Sequence, residues 1–151
     1  MRIGLTLIEV VVVTIIIAIV AVVAIPIVDS RVNEARLRAS VRQMQIIVRA
    51  CELYRATSGS WPANTDSGVV PPEIADSLGP IDFSTTPLGG TYDWNGPGTS
   101  VGSLGISIRF ASSRDAPLPD LLELDCELDN GDLNTGAIRL FRGRYFQFCV
   151  E

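Results

Sequence analysis

The stretch GLTLIE, residues Gly4 to Glu9, and the apolar run that follows it decide how this chain folds. No residue from Val10 to Val28 is charged, and most are Val, Ile or Ala. At about 1.5 Å of rise per residue, a helix over this run is about 28 Å long, close to the roughly 30 Å of a bilayer's hydrocarbon core. β-branched residues favour strands in water, but a single segment in lipid satisfies its backbone polar groups only as a helix. The run therefore predicts a membrane-spanning helix.

Glu9 lies at the entrance of this run, where an ionisable side chain is costly and indicates a function. Gly4 precedes the run, behind a polar start that contains Arg2. In these residues the chain resembles the type IV pilin and pseudopilin family, whose precursors carry a short basic leader ending in Gly, then an apolar residue, Thr, Leu, Ile, Glu and a long apolar helix. Pro26 falls where that family places its helix-bending proline.

The resemblance implies a processed subunit that polymerises. A prepilin peptidase would cut between Gly4 and Leu5 and methylate the new amino terminus. Glu9 would pair with the terminal ammonium of a neighbouring subunit, and this pairing would fix register because a slipped subunit leaves a charge unpaired in low dielectric. The expected partners are copies of this chain, other pilin-like subunits, the prepilin peptidase and the inner-membrane assembly platform. The expected function is a filament subunit of a type II secretion pseudopilus or a type IV pilus.

The apolar run and the resemblance together predict a single-pass protein of the bacterial inner membrane, with its carboxy-terminal domain in the periplasm before assembly. Three arginines follow the run closely while only Arg2 precedes it, which opposes the positive-inside rule for a cytoplasmic amino terminus. The predicted orientation therefore comes from the resemblance. The alternative is a membrane-anchored periplasmic binding domain that does not polymerise, and that is indifferent to processing at Gly4 and to loss of Glu9.

The remainder of the chain is acidic and lacks the groups that most enzymes use. From Ala56 to Glu151 there are five Arg against thirteen Asp and Glu, and the whole chain has no His and no Lys. This charge balance repels nucleic acid. Gly98–Gly102 matches the G-x-S-x-G pattern of hydrolases, but that motif needs a His base and a strand-to-helix turn. We expect neither enzyme activity nor nucleic-acid binding.

The order of patterns along the chain predicts an α+β fold. A long amino-terminal helix, membrane-spanning in its first half, would pack on a small antiparallel sheet, as in pilins. Its second half carries apolar residues at spacings of three and four, and Gly59 is a suitable stop. The predicted segments are a leader (1–4), a transmembrane half-helix (5–28), an amphipathic half-helix (29–58), a variable loop with a short helix (59–90) and a sheet region (91–151).

Alternating apolar and polar residues predict four strands in the carboxy-terminal region. The last two flank Arg142-Gly143, a good hairpin turn. The segment after Pro119 fits either a strand or a helix, and its acidic residues together with the proline favour a short helix. The predicted strands are 91–94, 106–110, 137–141 and 144–150.

The chain has three cysteines, Cys51, Cys126 and Cys149, so one is left over if a disulfide forms. An exported domain lies in an oxidising compartment, which permits a bridge. Buried reduced thiols are the alternative, since free cysteine is among the most buried residue types. The resemblance implies a bridge between Cys126 and Cys149, because the family often closes its carboxy-terminal region with a disulfide.

The acidic segment 120–132 is the candidate metal site. Its carboxylates are hard oxygen ligands of the kind that calcium takes, and some pseudopilins bind calcium in this part of the fold. The spacing does not fit an EF-hand loop, and a solvated acidic face is the alternative. We predict no firm cofactor. Calcium is the candidate metal ion, and its candidate ligands are Asp125, Glu127, Asp129 and Asp132.

Overall fold

The computed structural model describes residues 6–99 and 102–150, without the side chains of residues 23, 26 and 27. Helices and strands follow in the predicted α+β order, and a long amino-terminal helix precedes a small antiparallel sheet. The chain divides into a unit that ends at Ala35 and a unit that begins at Arg36. The elements are α1 (Leu7–Ser58), α2 (Ala75–Leu78), β1 (Thr91–Asn95), β2 (Gly105–Arg109), α3 (Leu118–Leu128), β3 (Ile138–Phe141) and β4 (Tyr145–Cys149).

The first unit is the amino-terminal part of α1. Crossing a bilayer takes about 20 consecutive apolar residues in a helix. Within 6–99 and 102–150, no helix is both long enough and apolar enough for such a crossing. The predicted single-pass localisation in the bacterial inner membrane is therefore wrong, and a membrane-spanning first half of the helix is not supported.

In the second unit, α1 packs one face into the core. Five of the residues predicted for this face are buried, at spacings of three and four: Leu37, Met44, Ile47, Val48 and Cys51. The predicted Val41 and Tyr54 are half-buried, and the buried Ser40 was not predicted. The Tyr92 hydroxyl fastens β1 to this helix by donating to Gln43 Oε1 at 2.7 Å and to the Ser40 carbonyl at 3.3 Å. Gly59, at φ +78°, ends the helix in the left-handed conformation that glycine adopts without strain.

The sheet has four antiparallel strands in the order β1-β2-β4-β3. On its core face, Ile108 lies between Tyr92 of β1 and Phe146 of β4, and all three side chains are buried. The β3–β4 hairpin turns at Arg142 (φ +51°) and Gly143 (φ +68°). Two consecutive positive φ values match the twist of antiparallel strands, so the predicted hairpin is confirmed.

The segment that fitted either a strand or a helix is the helix α3, with Pro119 in its first turn. It buries Leu121, Leu124 and Asp125. At 3.9 Å, Glu127 Oε1 faces Arg38 Nη2, which links α3 to α1 within the second unit.

Candidate functional site

The described chain begins with a capping box formed by Thr6 and Glu9. The Thr6 amide donates to Glu9 Oε2 at 2.8 Å, and the Thr6 hydroxyl donates to the same oxygen at 2.6 Å. The Glu9 amide completes the box by donating to Thr6 Oγ1 at 3.4 Å. These hydrogen bonds, first the hydroxyl's and then the amide's, hold the pKa of Glu9 below its ordinary value. An ionised carboxylate also complements the positive end of the helix dipole.

This capping role is a function of Glu9 that we did not predict, although the sequence carries its signal. Threonine followed three residues later by glutamate, just before an apolar run, is the signature of a capping box. The predicted processing residues Gly4 and Leu5 lie outside the described residues. Position 26 lies within α1, and nothing is described of the Pro26 side chain.

The apolar side chains of the first unit form the largest exposed apolar surface of the described chain. Each described Leu, Ile and Val side chain from Leu7 to Val28 is between 44% and 83% exposed. They occupy most positions of this segment, in runs such as Val10–Val13 and Ile15–Ile17, and so surround the helix on every side. A helix that is apolar all round is normally buried, because water excludes so large a continuous apolar surface.

The three cysteines lie in different surroundings and all are free. Cys51 is fully buried, and burial, followed by the charges of Glu52 and Glu73, raises its pKa to about 12. Cys126 is exposed, and burial raises the pKa of the half-buried Cys149. The bridge between Cys126 and Cys149 is not formed in this structure, and it stays a prediction.

Two of the four candidate calcium ligands organise the loop after α3. Asp129 Oδ2 accepts hydrogen bonds from the amides of Ala137 at 2.5 Å and Ile138 at 3.0 Å. Asp132 Oδ1 accepts from the Asn134 amide at 3.0 Å, and the hydrogen bonds from Asn134 chiefly lower the pKa of Asp132. These carboxylates therefore already have a structural role that requires no metal.

The other two candidate calcium ligands, Glu127 and Asp125, lie in different surroundings. Glu127 points to Arg38 of α1, whereas Asp125 is fully buried and neither of its oxygens has a hydrogen-bond partner among the described residues. Burial, and then the charges of Asp129 and Asp132, raise the pKa of Asp125, while the nearby amides of Asp132 and Gly131 oppose the rise. Across the described ranges, no group of three or more His, Cys, Asp or Glu side chains is arranged to hold a metal ion. Calcium binding stays a prediction.

No family model, curated protein or solved structure matches this chain. Its own residues therefore point to its function. The features available are the exposed apolar helix, the capped and ionised Glu9 at its start, and the folded second unit.

Proposed function

We propose that this chain is the structural subunit of a filament, in which the amino-terminal parts of α1 from many copies pack side by side. The observation that carries the proposal is the apolar surface that surrounds the helix from Leu7 to Val28. The resemblance of the stretch Gly4 to Glu9 to pilins and pseudopilins supports the same function. It adds processing by a prepilin peptidase between Gly4 and Leu5.

The free energy of burying this apolar surface favours association between copies. Fourteen described Leu, Ile and Val side chains between Leu7 and Val28 are largely exposed. Burying one such side chain from full exposure gains about 1.5–3 kcal/mol, so covering all fourteen, which are 44–83% exposed, gains on the order of 10–25 kcal/mol. Association costs about 4–15 kcal/mol in translational and rotational freedom. The free energy gained by packing each helix against several neighbours therefore exceeds the cost of the translational and rotational freedom that each copy loses.

Glu9 makes the packing specific. Its carboxylate is ionised in the single chain, and it lies at the start of the apolar surface. A bundle of such helices would place this charge in a low-dielectric environment, where it requires a cation. In the proposed filament that cation is the amino group of a neighbouring copy, set free by processing before Leu5. A copy that slips along its neighbour leaves both charges unpaired.

The first test is the mass of the amino-terminal peptide of the protein from its native host, together with electron microscopy of the full chain. We expect a peptide that begins at Leu5 and carries a methyl group, and we expect filaments. A chain that retains residues 1–4 and stays monomeric at every concentration refutes the proposal, and identifies instead a domain that does not polymerise.

A pair of substitutions at Glu9 separates charge pairing from helix capping. Glu9→Gln keeps an acceptor for the Thr6 amide but removes the charge, whereas Glu9→Ala removes both. We expect both variants to lose filaments, while Glu52→Gln, an exposed acid further along α1, assembles normally. If Glu9→Gln assembles as well as the unmodified chain, the proposed pairing is wrong and Glu9 serves only as a cap.

A further inference from the structure

The second unit presents a stripe of exposed residues on α1. Its residues are Ala39, Arg42, Ile46, Arg49 and Leu53, and we call it the arginine stripe. Spacings of three and four place these residues on one side of the helix, opposite its buried face. Two large apolar side chains are exposed there, Ile46 at 41% and Leu53 at 60%.

The two arginines of the stripe carry unneutralised charge. Neither Arg42 nor Arg49 makes a hydrogen bond or an ion pair with another residue in 6–99 or 102–150. Arg42 borders a groove of its own chain that Glu127 also lines, whereas Arg49 does not line that groove. Arg49 is therefore the more informative position at which to test an outside partner.

A second exposed stripe, of opposite charge, lies on the outward side of α3. It consists of Leu118, Leu122, Glu123 and Cys126, and we call it the α3 face. Leu118 is 47% exposed and Leu122 is 45% exposed, one helical turn apart. Glu123 is exposed and has no ion-pair partner among the described residues. Like the arginine stripe, this face combines two exposed aliphatic side chains with a charge that has no ion-pair partner among the described residues.

We propose that the arginine stripe of one copy docks on the α3 face of the next copy. Apolar side chains would meet apolar side chains, and Arg49 would meet Glu123 with opposite charge. This inference rests on the proposed function, which brings the second units of neighbouring copies together. Because the two surfaces are different, the contact is heterologous, and each bound copy still offers one free surface. Such a contact propagates from copy to copy instead of closing into a dimer, and it builds an open filament when its rotation does not close a ring.

A charge swap tests the pairing in the full chain. Arg49→Glu and Glu123→Arg each place like charges opposite one another, and we expect each to raise the protein concentration at half-assembly about fivefold. The double variant restores opposite charges and should return to within about twofold of the unmodified chain. Arg36→Glu makes the same charge change away from the stripe and serves as the matched control. All three positions are exposed, so circular dichroism should show unchanged folding.

A cross-linking experiment tests the geometry, because the α3 face already carries the exposed Cys126. Ile46→Cys adds a thiol to the arginine stripe, while the buried Cys51 stays out of reach of the oxidant. After oxidation with copper phenanthroline, a heterologous contact gives a ladder of dimers, trimers and larger species joined by Cys126. Removing that thiol with Cys126→Ser should abolish the ladder.

The outcomes separate this inference from the proposed function. If the unmodified chain does not assemble, the proposed function fails and the inference fails with it. If the unmodified chain assembles but the charge reversals do not weaken it, or oxidation gives no ladder, the filament stands and only this contact is wrong. Oxidation to dimers that persist when Cys126 and the half-buried Cys149 are both replaced by Ser indicates a contact between two arginine stripes, and also overturns the inference.

Discussion

Replacing Asp125 by Asn should stabilise the second unit at neutral pH. Asp125 is 0% exposed, and neither carboxylate oxygen accepts a hydrogen bond from a described residue. Burial and the neighbouring charges of Asp129 and Asp132 raise its pKa. Asn has the same shape but no charge, so it removes both the desolvation of the carboxylate and its repulsion by the two neighbours.

The magnitude follows from the burial. A buried polar group without a partner costs about 1–3 kcal/mol, and a charged one costs more. Because the Asn amide is also left without a full set of partners, we expect a gain in the free energy of unfolding of about 1 kcal/mol at pH 7. For a domain of this size that gain corresponds to a rise in Tm of about 4 °C.

The pH dependence of stability tests a second time whether the ionised Asp125 destabilises the folded chain. Because folding raises the pKa of Asp125, its favourable contribution to stability is fully present below the unfolded pKa and is lost as pH rises through the folded pKa. The unmodified chain should therefore approach the stability of Asp125→Asn as pH falls from 7 towards the ordinary Asp pKa of about 3.9. The variant lacks this contribution and should show a correspondingly flatter profile.

The assay is thermal unfolding of the full chain, followed by circular dichroism from pH 4 to pH 8 in EDTA. Asp120→Asn, which changes a half-buried acid on the same helix, is the matched control. If Asp125→Asn is less stable than the unmodified chain at pH 7 in EDTA, the reasoning from unpaired burial is refuted. Repeating the series with Ca²⁺ tests the predicted calcium site, since a ligand at Asp125 would make Ca²⁺ stabilise the unmodified chain but not the variant.

Three further predictions concern stability and reactivity. Ile47→Ala, at a position with 0% exposure, should lower the free energy of unfolding by about 2–5 kcal/mol in urea denaturation, whereas Ile46→Ala on the exposed side should change it little. Gly90→Ala should also destabilise the fold, measurable as a lower Tm, because φ is +96° and an added Cβ would lie 2.5 Å from a carbonyl oxygen of β2. At pH 8, maleimide labelling followed by mass spectrometry should modify Cys126 rapidly and Cys51 only on unfolding, since burial raises the pKa of Cys51 to about 12.

The local patterns in the sequence were sufficient for most of the secondary structure. Apolar spacing predicted the buried face of α1 in the second unit, Pro119 predicted the start of α3, and Arg142-Gly143 predicted the last hairpin. Each of these depends on interactions between residues close in the chain. The Thr6–Glu9 capping box is equally local, and its pattern was present in the sequence although we did not predict it.

The sequence patterns did not predict what surrounds each element. The apolar run predicted a helix correctly, but a hydropathy pattern does not determine what covers that helix, and the predicted inner-membrane localisation was wrong. The acidic segment 120–132 shows the same limit. The spacing of residues in this segment does not show which acidic side chain is buried. In the structure α3 buries Asp125, whereas Glu127 faces Arg38.

The sequence by itself determined most of the helices, strands and turns of this protein, because the period of apolar residues and turn stereochemistry act within a few residues. Only the tertiary structure decided the strand order β1-β2-β4-β3, the burial of Asp125 and the two exposed stripes of opposite charge. Those features arise where segments distant in sequence pack together. Which side chains lose contact with water, and which keep an unpaired charge at the surface, depends on that packing.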